Sequence, residues 1–256
     1  MIGKRVGLVA LLGMLMASLS WSGEVLIVAD EWPQMEVLGK FIAEGGYPPV
    51  KVKQDEMPAD LSSYSGVIEF VHGAFNDEPA RKMRNYAEQG GRLIVLHHGI
   101  SSKKAATPGW LPFLGMKLER AEGAPDRYVW IYNSTLNMVN LNPHHYITSN
   151  SIHYATEAWY KSSDAPSEGG TYPVLLFENT EVFLHHQFTD GREKTVLFGL
   201  RYREPNSQTL YMEDRAGWYK PAGRGWVFYF QPGHAVTDFE NPNYCQIILN
   251  CLTWKP

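Results

Sequence analysis

The chain has 256 residues, of which 44% are hydrophobic, so it can bury a sizeable core without covalent crosslinks. Only two cysteines are present, which excludes a disulfide-rich scaffold. The formal net charge is −4 and no basic run stands out in residues 24–256, so no nucleic-acid partner is expected.

The first segment predicts export. Lys4 and Arg5 precede an apolar run over residues 6–19 that is short for a bilayer span, and small residues follow at 20–23. We expect a signal peptide at residues 1–23, with residues 24–256 forming the mature domain without a membrane span. Because cleavage removes two basic residues, the net charge would change from −4 to about −6. An uncleaved membrane anchor is the alternative.

Short apolar runs then alternate with amphipathic segments. Helices are predicted from Pro33 to Ala43 and after a capping residue at Asn76 or Asp77. The apolar residues are nearly continuous in the third and fourth runs, as expected when both faces of a sheet are covered. This alternation predicts an α/β fold with a doubly wound, flavodoxin-like and mostly parallel sheet. The predicted strands are 24–30, 50–54, 66–73 and 92–99.

The pattern changes over residues 105–222, where aromatic-rich alternating stretches are separated by turn residues. These stretches predict antiparallel strands that are inserted into the sheet or appended to it. A buried strand at 225–234 and a closing helix from Asn243 to Trp254 then restore the first pattern, which favours one domain. Cys245 and Cys251 lie on that helix about 9 Å apart, too far for a disulfide, so both are expected in the core.

Titratable residues follow several of the predicted parallel strands. Asp30 ends the first strand, His72 the third, and His97 and His98 the fourth, while His234 follows the last core strand. Because ligands of open α/β sheets bind beyond the carboxyl ends of the strands, we expect these side chains to line the functional crevice.

The turn after the fourth strand, LHHGISS, limits the chemistry. It carries histidine where hydrolases and amidotransferases of similar fold carry a serine or cysteine nucleophile. No G-x-S-x-G occurs, and both cysteines lie in the last helix, so acyl-enzyme chemistry is not expected. No glycine-rich dinucleotide or phosphate-binding motif follows a strand.

Three motifs carry a resemblance: GGRLIVLHHG (90–99), HYITSNSIHYATEAWY (145–160) and GRGWVFYFQPGHAVTDFENPNYCQIILNCLTW (223–254). With them the chain resembles the ThuA-like (trehalose utilisation) family, a branch of the class I glutamine amidotransferase-like superfamily, over nearly all of the mature sequence. The resemblance implies a sugar ligand. The sequence also departs from the family pattern, with Tyr146 in place of the usual proline and Thr156 in place of an aspartate. The working residues that it implies are His97, His145, Glu157 and His234.

Two kinds of chemistry stay open for such a set. His97, His145 and His234 could hold a divalent metal such as zinc, since imidazole and carboxylate groups are ligands that zinc prefers. Alternatively, histidine and carboxylate act as general acid and base on a sugar without a metal.

The remaining candidates are expected to contact substrate. Trp32 offers an aromatic face near a predicted loop, and the strand-end residues Asp30, His72 and His98 offer polar groups. We therefore expect an exported protein of carbohydrate metabolism that acts on a sugar or keto-sugar derivative. If it is an enzyme, it is a hydrolase, lyase or isomerase without a Cys or Ser nucleophile. The alternative is a non-catalytic module that binds a carbohydrate or a partner protein.

Overall fold

A computed structural model describes residues 23–191 and 193–256, so the predicted signal segment lies outside the described residues. Within the described residues no helix is both long enough and apolar enough to span a membrane. The helices are α1 (Pro33–Glu44), α2 (Asp77–Glu88), α3 (Trp110–Phe113), α4 (Tyr146–Ser149), α5 (Val236–Glu240) and α6 (Pro242–Thr253). The strands are β1 (Val25–Ala29), β2 (Pro49–Val52), β3 (Gly66–Phe70), β4 (Arg92–Leu96), β5 (Met116–Leu118), β6 (Val129–Asn140), β7 (Thr156–Tyr160), β8 (Gly170–Leu184), β9 (His186–Phe188), β10 (Thr195–Arg203), β11 (Leu210–Ala222) and β12 (Gly225–Phe230).

One sheet contains all of these strands except β5 and β9, in the order β2-β1-β3-β4-β12-β11-β10-β6-β8-β7. Strands β2, β1, β3, β4 and β12 are parallel, and every pair from β12 to β7 is antiparallel. The predicted α/β fold class is therefore confirmed. The aromatic-rich segment extends the parallel sheet through β12, while β5 and β9 form a separate two-stranded ribbon.

The parallel strands are covered on both faces, which explains their continuous apolar sequences. Alternate residues of β1 point to opposite cores, with Val25 and Ile27 in one and Leu26 and Val28 in the other. The first core includes apolar residues of α1, α5 and α6, and the second those of α2 and α3. Cys245 and Cys251 are buried and free on α6, as expected.

Candidate functional site

The candidate site lies at the carboxyl ends of β4 and β12, which are neighbours in the sheet. His97 and His98 begin the short 3₁₀ turn that directly follows β4, and His234 lies in the loop after β12. Because the two strands run parallel in register, their following loops meet at one edge. The fold therefore brings together three histidines that are far apart in sequence.

A carboxylate lies between these histidines. Oε2 of Glu181 is 3.1 Å from Nε2 of His97, 3.0 Å from Nε2 of His98 and 3.2 Å from Nδ1 of His234. Within the described part of the chain, the ligand atoms of these four side chains all lie within 4.8 Å of one another. His97 and Glu181 are almost completely buried, while His234 is partly exposed. We refer to these four residues as the histidine–glutamate cluster.

The protonation of His97 explains why this cluster suits a cation. Its Nδ1 lies 2.7 Å from the backbone oxygen of Gln231, which can only accept, so Nδ1 carries the proton. In a neutral ring the Nε2 lone pair then faces the Glu181 carboxylate. A cation between Nε2 of His97 and Oε2 of Glu181 would be coordinated by lone pairs of both groups. A backbone carbonyl that holds the far ring nitrogen is also the usual second shell of a metal-bound histidine.

Electrostatics keeps two members of the cluster in the form that binds a metal. Burial would raise the pKa of Glu181, but its interactions with His234, His97 and His98 outweigh burial and hold that pKa well below its usual range. Burial, with a contribution from the nearby His97, lowers the pKa of His98 to about 3, so that its ring is neutral. The interaction with Glu181 raises the pKa of His234 against the opposing effect of burial.

The distances also fit a small divalent ion. Zinc ligands at 2.0–2.1 Å in a tetrahedral arrangement lie about 3.3 Å from each other. Three of the six separations, those of 3.0–3.2 Å around Oε2 of Glu181, are close to that edge length, while the four ligand atoms as a set lie within 4.8 Å of one another, so the imidazoles would move closer together around a zinc ion. In addition, Nδ1 of His234 is buried and lies 3.2 Å from the same carboxylate oxygen that faces the other two imidazoles. A ligand set that converges on an ion produces this arrangement.

Glu181 reaches the site because the antiparallel pairing of β6 with β8 is irregular. The register of this pair shifts between Ile131 and Leu136, where Asn133 and Asn179 adopt left-handed backbone angles of +49° and +55°. Such bulges bend a strand and redirect its side chains. Beyond the bulge, the side-chain amide of Gln231 donates to the backbone oxygen of Phe183 at 2.9 Å. This hydrogen bond connects the bent end of β8 to the loop after β12.

Asp238 fixes the loop that carries His234. Its buried Oδ2 accepts hydrogen bonds from the backbone N–H of Gly233 at 2.9 Å and of Ala235 at 3.2 Å, the two neighbours of His234. The same oxygen accepts from the Thr180 hydroxyl at 2.7 Å, directly before Glu181 in the chain. One carboxylate thus links the backbone on either side of His234 to the strand that presents Glu181.

His72 and Asp30 lie beside the cluster. The His72 ring packs against His98 at a tilt of 46° with centroids 3.8 Å apart, and its Nδ1 is 3.2 Å from Glu31. Asp30 accepts the backbone N–H groups of His72 and Gly73 at 2.6 and 2.8 Å, so it shapes the loop that holds His72. Trp32 is partly buried against the core of α1.

A small pocket of about 110 Å³ opens next to the cluster. Trp130 and Tyr132 stand at its edge with about half of each side chain exposed, and the Tyr132 ring lies 5.5 Å from that of His234. The exposed Lys103 adds a positive charge at the rim. The pocket is lined by His72, His98, Ser101, Ser102, Lys103, Tyr128, Trp130, Tyr132, Glu181 and Phe183.

Two of the expected working residues lie elsewhere. His145 caps α4, where its Nδ1 accepts from the backbone N–H of Ile147 at 3.2 Å, and its ring contacts Trp254. Glu157 is exposed on β7, the edge strand of the sheet. The structure therefore groups His97 and His234 with His98 and Glu181 rather than with His145 and Glu157.

Sequence reasoning missed Glu181, Trp130 and Tyr132. Glu181 was hidden inside one of the alternating stretches, where a single acid normally indicates a solvent-facing position. A retrospective signal exists in the sequence ENTEVF, because asparagine followed by threonine within a strand is compatible with a bulge.

Comparisons with known proteins agree with this fold. Residues 19–255 match the family model ThuA, described as trehalose utilisation. No curated protein matches the chain. A ThuA-like protein from Bacteroides uniformis ATCC 8492 has a similar structure, with a TM-score of 0.56 and 15% identity over 90% of this chain and 89% of that one. A cytoplasmic protein from Salmonella typhimurium LT2 gives a TM-score of 0.55 and 10% identity over 90% and 98% of the two chains.

Proposed function

This chain belongs to the trehalose utilisation (ThuA) family, and from that premise we propose that it is a metal-dependent enzyme acting on a sugar or keto-sugar derivative. The observation that carries the proposal is the convergence of three imidazoles and one carboxylate, within 4.8 Å, beside a pocket edged by aromatic rings. The apolar run near the N-terminus supports export of the protein as part of the same proposal.

We infer that His97, His98, His234 and Glu181 hold a divalent ion such as zinc. Three nitrogen ligands and one carboxylate suit zinc, and the Gln231 carbonyl behind His97 would orient the first of them. Such an ion acts as a Lewis acid on a carbonyl or hydroxyl oxygen of a bound substrate.

The neighbouring side chains would bind and orient the sugar. The exposed faces of Trp130 and Tyr132 suit the flat apolar faces of a sugar ring, while His72 and Lys103 offer polar groups to its hydroxyl or oxo substituents. Asp30 would act through the backbone of the His72 loop rather than by direct contact. In this arrangement the rings hold the substrate and the cluster performs the chemistry.

Metal analysis of the purified protein tests the proposal. We expect about one equivalent of a divalent metal, lost in His97→Ala, His98→Ala, His234→Ala and Glu181→Gln together with turnover of a keto-sugar or glycoside panel. Loss of a direct ligand should weaken metal affinity by at least the 10- to 100-fold typical of second-shell changes. His145→Ala is the matched control and should keep both metal and turnover. Sequencing the N-terminus of the exported protein would report cleavage near residue 23.

Two other outcomes would replace the proposal. Metal-free protein with full turnover that depends on His97 and His234 would favour acid–base catalysis without a metal. Protein that binds carbohydrate but turns over no member of the panel, with or without added zinc, would favour a non-catalytic binding module. That alternative is consistent with histidine in the position after β4 where hydrolases and amidotransferases of similar fold carry a serine or cysteine nucleophile.

A further inference from the structure

A second cleft lies at the opposite edge of the parallel sheet, where β3 and β4 begin. It has a volume of about 580 Å³, within the range of small-molecule sites. Ser65 and Gly91 line it, and they directly precede the first residues of the two strands. It is therefore separate from the histidine–glutamate cluster, which lies at the carboxyl ends of the strands.

This cleft is basic although the chain as a whole is acidic. Arg81, Lys82, Arg92 and Arg224 line it, against the single carboxylate of Asp60. Lys82 is largely neutralised because its Nζ lies 3.3 Å from Glu78. A formal charge of about +2 therefore remains in the cleft, in a protein whose net charge is −4.

The arginines come from three separate elements and differ in what they bind. Arg92, at the start of β4, donates to the backbone oxygens of Cys251 and Trp254 at 3.1 and 2.7 Å, so it has a structural role at the end of α6. Arg224, in the turn before β12, is exposed and makes one side-chain hydrogen bond, to the Gln89 backbone oxygen at 3.2 Å. Arg81 on α2 is exposed and has no hydrogen bond or ion pair among the described residues.

Polar side chains of α2 complete one wall. Arg81, Asn85 and Gln89 follow each other at intervals of four residues and all line the cleft, so they form one face of the helix. Asp60 does not neutralise this wall by direct pairing, because its carboxylate accepts hydrogen bonds from the backbone N–H and hydroxyl of Ser62, each at 2.9 Å. The wall thus combines the guanidinium group of Arg81 with amide donors, and Arg224 adds a second guanidinium from the turn before β12.

We propose that this cleft is a binding site for a phosphate group, recognised by Arg81 and Arg224. A guanidinium matches two oxygens of a phosphate at once, and a phosphate monoester carries about −1.5 to −2 charges at neutral pH, which balances the cleft. The phosphate has two possible sources, a soluble phosphate ester or an anionic phospholipid headgroup. The second source needs a separate arm because an anionic phospholipid presents the same phosphate chemistry at a membrane surface.

Isothermal titration of the full chain with inorganic phosphate is the first arm. The double variant Arg81→Ala/Arg224→Ala should bind phosphate at least about tenfold more weakly, since it removes both guanidinium groups that would make charge-assisted hydrogen bonds to the phosphate oxygens. Both side chains are exposed, so the variant should fold normally. Arg120→Ala, which removes an equally exposed positive charge outside the cleft, is the matched control and should bind like the wild type.

Sedimentation with vesicles is the second arm. Binding to vesicles of phosphatidylglycerol and phosphatidylcholine, but not of phosphatidylcholine alone, would identify the headgroup as the source if the double variant abolishes it. Binding of soluble phosphate without vesicle binding would identify a soluble ester. The proposal is overturned if wild type binds neither probe, or if the double variant binds as the wild type does. Metal content and sugar turnover should be unchanged in the double variant, so this result is independent of the proposed function.

Discussion

At the scale of single residues, His97 shows how the site is assembled. Its φ of +45° is unusual for a residue with a β-carbon and costs of order 1–3 kcal/mol, so the surrounding structure must enforce it. Consecutive side chains of a strand point to opposite faces, whereas this turn directs both His97 and His98 at one carboxylate. Gly233 permits the close packing, because a β-carbon there would lie 3.0 Å from that of His97.

Asp238 gives the first prediction at this scale. It touches none of the pocket, yet it holds the backbone on both sides of His234 and the hydroxyl of Thr180. We expect Asp238→Asn to weaken metal affinity by about 10- to 100-fold, as second-shell changes do, and Asp238→Ala to weaken it more. Metal competition titrations would measure this order. Glu240→Ala, an exposed acid at the end of the same helix, is the control. Equal affinity in wild type and Asp238→Ala would show that the loop does not need this anchor.

At the scale of elements, the antiparallel pair of β6 and β8 has two parts with different partners. Residues Leu136–Asn140 of β6 also pair with β10 and belong to the main sheet. On the other side of the bulge, Val129–Ile131 pair only with Val182–Leu184, and Phe183 there stacks on His97 with centroids 4.8 Å apart. The bulge therefore allows a strand four positions away from β12 in the sheet order to cover the end of β4.

This geometry explains which parts of the site could be predicted from sequence. His97 directly follows a continuous apolar run and His234 follows another after Gln231, Pro232 and Gly233, so their place near the strand ends can be predicted from the apolar pattern alone. Glu181 required knowledge of a bulge, because an unbroken alternation gives no reason for its strand to bend toward β4. His145 and Glu157 were inferred by resemblance. His145 caps the N-terminus of α4 and Glu157 lies in the edge strand β7, two placements that the local pattern could not predict.

The loop after β3 gives the prediction at this scale. Lys104 is fully buried and donates to the backbone oxygens of Val71 and Gly73 at 2.5 and 3.0 Å, opposite the face of the loop held by Asp30. Burial raises the pKa of Glu69 to about 7, and the positive charge of Lys104 opposes this shift. Lys104→Met should lower the free energy of unfolding by about 2–5 kcal/mol, because it leaves two backbone carbonyls without their donor and removes the positive charge that acts on the buried Glu69 carboxyl group.

Urea unfolding of a double-mutant cycle measures this coupling. Glu69→Gln combined with Lys104→Met should cost less than the sum of the single changes, since the pair is removed together. Lys103→Met, an exposed neighbour, should have little effect on unfolding. Strict additivity in the cycle would mean that Lys104 stabilises the loop through its carbonyl contacts alone.

At the scale of the whole molecule, the site lies where the two halves of the sheet meet. β12 pairs in parallel with β4 and antiparallel with β11, so it is the boundary strand. The parallel half provides His97 and His98, the boundary strand leads to His234, and the antiparallel half provides Glu181. An ion bound by all four residues would therefore crosslink both halves.

That position makes thermal stability a test of the proposed metal site. A ligand at 100 times its dissociation constant stabilises the folded state by about 2.7 kcal/mol, which for a domain of 150–250 residues corresponds to several degrees in Tm. We expect chelation to lower Tm by this order and zinc to restore it, as followed by calorimetry. His97→Ala should have the same Tm with and without zinc, whereas His145→Ala should respond like the wild type because its ring lies outside the cluster. A zinc response that persists in both His97→Ala and Glu181→Gln would place the stabilising ion at another site. The four residues would then link the two halves of the sheet only through hydrogen bonds among their own side chains.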